Sequence, residues 1–213
     1  MSCIWFFKNL NKIKKCLKNN QDIFLIKIRY NAMNIFFLSW NVKECAELYC
    51  DQHVNKILLE IVQMLYTTWH CLGEEGWNKS APFKKNSTQR GYNSVSNKKH
   101  PMVMWVRSHK NNYIWTALLG VALSLEFEKR FKKIHSSTIH LLWLYENIPK
   151  NFIEIRNENA FYSKCGFPKF VTPVPECMPK QYQDSNLIIA NVNNYLNEKI
   201  IFGKYKQNAL FKT

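Results

Sequence analysis

The 213-residue sequence lacks the motifs that identify most common enzyme classes. It has no glycine-rich phosphate loop, no GxSxG nucleophile motif, no HExxH zinc motif and no CxxC pair. Its apolar runs fall well short of the roughly 20 residues that a membrane-spanning helix needs. P-loop hydrolysis, serine hydrolase chemistry and zincin chemistry therefore have no support in the sequence, and we expect no membrane segment.

Acidic residues are scarce. Only 15 Asp and Glu stand against 30 Lys and Arg, which gives a net charge of +15. Such an excess creates a positive field over much of the surface, and the first partner that it predicts is nucleic acid, here double-stranded DNA. An anionic membrane surface or an acidic protein would satisfy the same charge.

Cysteine occurs seven times, an odd number at irregular spacing, and no cleavable signal peptide precedes it. We therefore expect reduced thiols in an intracellular, reducing compartment. Cys45, Cys50 and His53 have the only metal-like spacing, but they lack a second tight pair of ligands. Our prediction is that the protein binds no metal.

The first 32 residues differ in charge from the remainder, with seven basic residues and one acid, a net +6. This extension is an organellar address, a polyanion-binding arm, or upstream sequence read in frame before a natural start at Met33. We favour the last, because "MNIFFLSW" is typical of the opening of a domain. We expect one helical domain over residues 33–206 and a short tail over residues 207–213.

The hydrophobic pattern predicts a mainly α protein, a compact single-domain bundle of three to five helices with a short N-terminal extended segment and long Pro-rich loops. Helices are expected over residues 43–70, 101–133 and 138–147, the second of them one long helix or two consecutive ones with a break near residues 110–112. A final helix is expected from a cap at Asp184 to about residue 199. Residues 73–99 are interpreted as a mobile basic loop.

Six polar residues of the first long helix stand at successive spacings of 3, 4, 3, 4 and 3, which places them on one helical face. This polar stripe consists of His53, Lys56, Glu60, Gln63, Thr67 and His70. It is either a solvated face or the floor of a reaction site. In a site, Glu60 would stabilise a cationic, oxocarbenium-like sugar or transfer a proton, with His53 and Lys56 as neighbouring catalytic candidates.

Lys56 is a candidate nucleophile, although Glu60 one turn away favours its charged ammonium form. Its alternative role is electrostatic positioning of a phosphate or of Glu60. Further basic residues are candidates for contact with nucleic acid, with a solvated loop of no function as the alternative for those near residue 90. They are Lys84, Lys85, Arg90, Lys98, Lys99, His100, Arg107, Arg130, Lys204 and Lys206.

Within "CDQHVNKILLEIVQML", the run Asp51, Gln52, His53 and then Glu60 resembles the first helix of the bacteriophage pyrimidine-dimer DNA glycosylase (endonuclease V) family. Glu60 corresponds there to the catalytic glutamate. The stretch "HPMVMWVRSHKNNYIWTALLGVALSLEFEKRF" and the lysine-bearing aromatic tail are similar to the family as well. The body also looks like uncharacterised proteins of large DNA viruses and phages. The resemblance extends over most of residues 33–206.

The resemblance implies a small helical protein, expected to be a monomer, that binds duplex DNA at pyrimidine dimers and extrudes an opposing base. It cleaves the glycosidic bond and nicks the abasic site without a cofactor, and its location would be the host cytoplasm or a viral replication site. The family's nucleophile is the α-amine of the residue after the initiator Met, which the extension here would displace. Leu59 and Gln63 stand where the family has arginines.

Three functions follow as hypotheses. The leading one is a DNA repair glycosylase and abasic-site lyase. The second is a non-enzymatic nucleic-acid-binding viral protein that relies on charge alone. The third is a metal-dependent nucleotide-modifying enzyme built from Cys50, Asp51, His53, Glu60 and His100.

Overall fold

The structure is a computed structural model that describes residues 34–93, 98–152 and 172–199. In chain order its helices are α1 (Val42–Leu48), α2 (Asp51–Leu72), α3 (Pro101–Ser108), α4 (Lys110–Phe131), α5 (Thr138–Glu146) and α6 (Leu187–Asn194), the last continuing into a π-helical turn, Tyr195–Lys199. Short 3-10 turns lie at Trp77–Lys79 and Lys180–Tyr182. The mainly α prediction is confirmed, with six helices in the described part where three to five were expected.

One extra helix arises because the predicted 43–70 helix is interrupted at Tyr49 and Cys50, which are both extended. The Tyr49 hydroxyl donates a 2.7 Å hydrogen bond to the Phe36 carbonyl, and the Cys50 N–H donates to the Tyr195 hydroxyl at 2.8 Å. Both partners lie outside the helix, 13 and 145 positions away, so helical periodicity alone does not reveal the break.

The break between α3 and α4 was expected from the sequence. α3 and α4 are separated at His109, whose extended backbone (φ −150°, ψ 144°) breaks the helix and whose side chain accepts from the N–H of Asn111. Pro101 occupies the first turn of α3, where its missing N–H costs nothing. The predicted break near residues 110–112 is therefore confirmed, one residue earlier than expected.

α2 packs against α3, α4 and α5 and lies at the centre of the molecule. Gly120 of α4 lies close to both α5 and α2, since a Cβ there would lie 2.7 Å from Leu141 Cδ1 and 3.0 Å from Ile61 Cγ2. Helices α2, α4 and α5 consequently share one continuous apolar core.

The N-terminal extended segment is buried in this core rather than lying on its surface. Phe37 stacks on Trp115 with ring centroids 4.7 Å apart, and its N–H donates to Asn191 Oδ1 at 3.1 Å. Asn34 Nδ2 donates to the Cys177 carbonyl at 3.1 Å. The expected extended lead-in is confirmed, and it is held by the C-terminal part of the chain.

The described part of the basic loop is irregular, as expected, and it is folded back on itself: the Gly91 N–H donates to the Pro82 carbonyl at 2.8 Å, and Phe83 and Arg90 form an isolated antiparallel bridge. One local prediction needs correction. Asn186, rather than Asp184, caps the last helix. The predicted extension (1–32), the tail (207–213) and much of the Pro-rich loop lie outside the described residues.

Candidate active site

Glu60 lies near the middle of α2 and is only 9% exposed. Its Oε1 is 3.4 Å from Lys56 Nζ, and its Oε2 accepts a 3.3 Å hydrogen bond from the main-chain N–H of Asn34. Burial raises the pKa of the Glu60 carboxyl above its usual range, while Lys56 and the Asn34 N–H act in the opposite direction.

This arrangement suits two tasks. A carboxyl group whose pKa is raised by burial exchanges protons closer to neutral pH than an ordinary glutamate does. In its ionised form, and with little water around it, the same group stabilises a developing positive charge more strongly than it would in solvent. Glu60 is therefore equipped for proton transfer and for stabilising a cationic intermediate.

The polar stripe is neither a fully solvated face nor an open floor. His53, Glu60 and Thr67 are buried, Lys56 and Gln63 are half-buried, and His70 is exposed. The Phe36 ring covers one end of the stripe, with its centroid 5.2 Å from that of His53. Access from solvent remains at Lys56 and Gln63, which flank the buried carboxylate.

His53 belongs to the packing at the start of α2. Its Nδ1 is 2.8 Å from the Tyr195 hydroxyl and 3.3 Å from Cys50 Sγ. Seven residues separate it from Glu60, which is about 10 Å along a helix. The predicted catalytic pair of His53 and Glu60 is not brought together.

Arg130 is not a surface cation, and its predicted contact with nucleic acid is wrong. The side chain is 1% exposed and pairs with Glu126 Oε1 at 2.6 Å and with Asp51 Oδ1 at 3.1 Å. It also donates to the carbonyls of Tyr49 at 2.7 Å and Glu47 at 3.0 Å. Because its donors are used in holding α1, α2 and α4 together, no phosphate can reach it.

The other predicted contact residues are more accessible. Lys85, Arg90, Lys98 and Lys99 are exposed, Lys84, His100 and Arg107 are half-buried, and Lys204 and Lys206 lie outside the described residues. His100 caps α3 through Nδ1, and Arg107 Nη1 donates to the Lys98 carbonyl at 2.7 Å. The predicted contact residues that remain accessible therefore lie on the described parts of residues 84–99 and on α3 with its cap.

A cleft of about 550 Å³ that the sequence did not predict lies beside Asn55 of α2. Lys85 and Lys133 line it together with the ring of His135. His135 Nε2 is 3.1 Å from Asn55 Oδ1, and burial lowers the pKa of this histidine. The cleft offers two ammonium groups, which suits an anionic ligand.

The side chains of the third hypothesis do not form a metal centre. Within residues 34–93, 98–152 and 172–199, no group of three or more His, Cys, Asp or Glu side chains is arranged to hold an ion. Cys45, Cys50, Cys71 and Cys177 are free, and burial raises the pKa of the Cys45 thiol to about 11. The described part of the chain also has no helix long and apolar enough to cross a membrane.

Sequence reasoning missed two residues that shape the site, Asn34 and Tyr195. "MNIF" drew attention to the start of the domain, but nothing in it indicated that the Asn34 nitrogen contacts Glu60. Comparison of the chain with protein-family models, with curated proteins and with solved structures finds no match.

Proposed function

We propose that this protein is a DNA glycosylase with abasic-site lyase activity, and that Glu60 is its catalytic carboxylate. The observation that carries the proposal is a carboxylate nine-tenths buried, with two nitrogen atoms, Lys56 Nζ and Asn34 N, within 3.4 Å. The resemblance of residues 51–60 to a glycosylase helix and the net charge of +15 add support.

The reaction needs a nitrogen nucleophile and a carboxylate. An amine attacks C1′ of the nucleotide, the glycosidic bond breaks, and the departing base leaves with the bonding electrons and takes up a proton. The sugar ring opens to an imine with the enzyme. A base then removes a proton from C2′, and the 3′-phosphate leaves by β-elimination. Ionised Glu60 stabilises the cationic sugar in the first step and accepts the C2′ proton in the second.

The two nitrogens beside Glu60 differ in chemistry. Lys56 Nζ is an amine in the chain as it stands, but it is paired with the carboxylate at 3.4 Å. Asn34 N is a peptide nitrogen and becomes an amine only in a chain that begins at that residue. Either atom lies close enough for Glu60 to orient it and to relay its proton.

Borohydride trapping tests the proposal. The full chain and a shortened chain beginning at Asn34 are incubated with abasic duplex and with UV-irradiated duplex, and the trapped adduct is mapped by mass spectrometry. We expect a covalent adduct on Lys56 or on the Asn34 amine, and nicking that Glu60→Gln reduces by at least about 100-fold. Glu75→Gln is the matched control, because Glu75 is exposed. Absence of any adduct and of nicking in both chains would refute the proposal.

The cation-lined cleft at Asn55 favours a second candidate function, binding of nucleic acid without chemistry. Lys85 and Lys133 face that cleft, and no acidic residue among the described residues lines it. This function predicts affinity that falls steeply with salt and does not change in Glu60→Gln.

A further inference from the structure

A second concave surface lies at the C-terminal end of α2, with a volume of about 410 Å³. We call it the aromatic pocket, and it is lined by three rings, those of His70, Trp77 and Tyr92, and by two cations, Lys79 and Arg90. No acidic side chain of the described residues lines it. Flat rings combined with positive charge are the features that bind single nucleic-acid strands.

The walls of the aromatic pocket are fixed by the fold. His70 Nε2 lies 2.9 Å from the Tyr92 carbonyl, which joins α2 to the folded basic loop. Gly91 has a φ of +61°, and a Cβ at this position would lie 2.8 Å from Tyr66 Cε1, so the loop sits directly on the buried tyrosine. The pocket is consequently preformed, which lowers the entropic cost of binding a ligand.

Trp77 supplies the largest ring of the pocket. Its inner side packs on Trp69 and Trp143, with centroids 5.6 and 6.1 Å away, and the side chain is half-buried. Its indole N–H donates to no residue in the part of the chain that the structure describes. A half-buried ring with an uncommitted donor beside a cation offers both stacking and a hydrogen bond to a nucleobase.

We propose that the aromatic pocket binds one unpaired nucleotide of a DNA strand, with the base against Trp77 and Tyr92 and the phosphate against Lys79 and Arg90. This inference rests on the DNA partner of the proposed function. Ten residues of α2 separate His70 from Glu60, about 15 Å along the helix axis. At about 3.4 Å per nucleotide of one strand, that distance corresponds to four or five nucleotides. The pocket is therefore distinct from the site at Glu60.

Photocrosslinking of the full, unaltered chain tests the inference. The probes are a 12-nucleotide single strand and a duplex with a 3′ overhang, each carrying one 5-iododeoxyuridine in its unpaired part. We expect adducts on Trp77 or Tyr92. Adducts confined to residues outside the pocket, or no adduct, would overturn the inference. We expect Glu60→Gln, which lies outside the pocket, to form the same crosslink. Loss of cleavage at Glu60 can therefore be distinguished from loss of binding at the pocket.

Variants of the full chain give a second measurement by fluorescence anisotropy with the same single strand. Trp77→Leu is expected to weaken binding by about tenfold, since base stacking on one ring is typically worth that factor or more. Lys79→Glu is expected to weaken binding several-fold and to lower the salt slope by about one. The control is Lys43→Glu, because Lys43 is exposed in α1 and lies outside the pocket. Equal affinities for Lys79→Glu and Lys43→Glu would count against the pocket.

Discussion

The ion-pair network of Arg130 is expected to contribute more to stability than any surface charge of this protein. Replacing Arg130 with Met removes the guanidinium from Glu126 and Asp51, whose side chains are only 5% and 8% exposed. It also removes donors from the carbonyls of Tyr49 and Glu47. Asp51 then lacks its buried countercharge and Glu126 keeps only the exposed Lys129, 3.3 Å from its Oε2. Breaking a buried pair in this way costs about 3–5 kcal/mol.

Urea denaturation followed by circular dichroism measures this loss. With an m value of about 3 kcal/mol/M, a loss of about 4 kcal/mol lowers the midpoint by about 1.3 M. Arg107→Met is the control, because Arg107 is half-buried and pairs with no carboxylate among the described residues. Adding Asp51→Asn and Glu126→Gln to Arg130→Met should restore part of the stability, since it removes the uncompensated charges.

A midpoint for Arg130→Met as close to the unaltered protein as that of Arg107→Met would refute this reasoning. So would a loss of DNA affinity without a loss of stability, because that result requires Arg130 to face the nucleic acid. If Arg130→Met does not fold, Arg130→Lys provides the measurement. It keeps the charge but not the fork of donors, and its midpoint should be lower than those of the unaltered protein and of Arg107→Met.

Three further outcomes are expected. Glu60→Gln should be more stable than the unaltered protein near neutral pH, because burial disfavours the charged form in the folded state. This difference should shrink as the pH falls through the raised pKa of folded Glu60 and vanish below the lower pKa of the unfolded chain, which urea midpoints across pH would reveal. Gly120→Ala should cost about 1–3 kcal/mol, because its Cβ would meet Leu141 at 2.7 Å in a packed core, and thermal unfolding measures this. Gly91→Ala should lower the free energy of unfolding by about 1–2 kcal/mol because of the positive φ at this position. It should also weaken binding of single-stranded DNA, measured by anisotropy, since the loop could no longer rest on Tyr66.

The sequence predicted most of the helices because long apolar runs and end signals are local features of the chain. Pro101 marked the start of α3, and the apolar run that follows was long enough to define α4. The break at Tyr49 and Cys50 was missed because it depends on hydrogen bonds to Phe36 and Tyr195, which no local pattern encodes.

In the candidate site, too, the local spacing of residues was predictable, whereas contacts between distant parts of the chain were not. The spacing of the polar stripe correctly placed Lys56 beside Glu60, since residues four apart always meet on a helix. The burial of Arg130 could not be predicted from local spacing. Arg130 has a local partner in Glu126, which the i, i+4 spacing would suggest, but its second carboxylate, Asp51, lies 79 positions away in the sequence. The sequence alone therefore does not distinguish a basic residue on a helix that contacts a DNA phosphate from one that forms buried ion pairs.

The hydrogen bonds that enclose the start of α2 also have a consequence for biosynthesis. The contact of His53 with Tyr195 spans 142 positions, and that of Phe37 with Asn191 spans 154. Ribosomes add about 5–20 residues per second, so roughly 7–28 s pass between the emergence of His53 and that of Tyr195. During that interval α2 can already pack against α3, α4 and α5, but its first turn lacks the C-terminal residues that cover it in the folded chain.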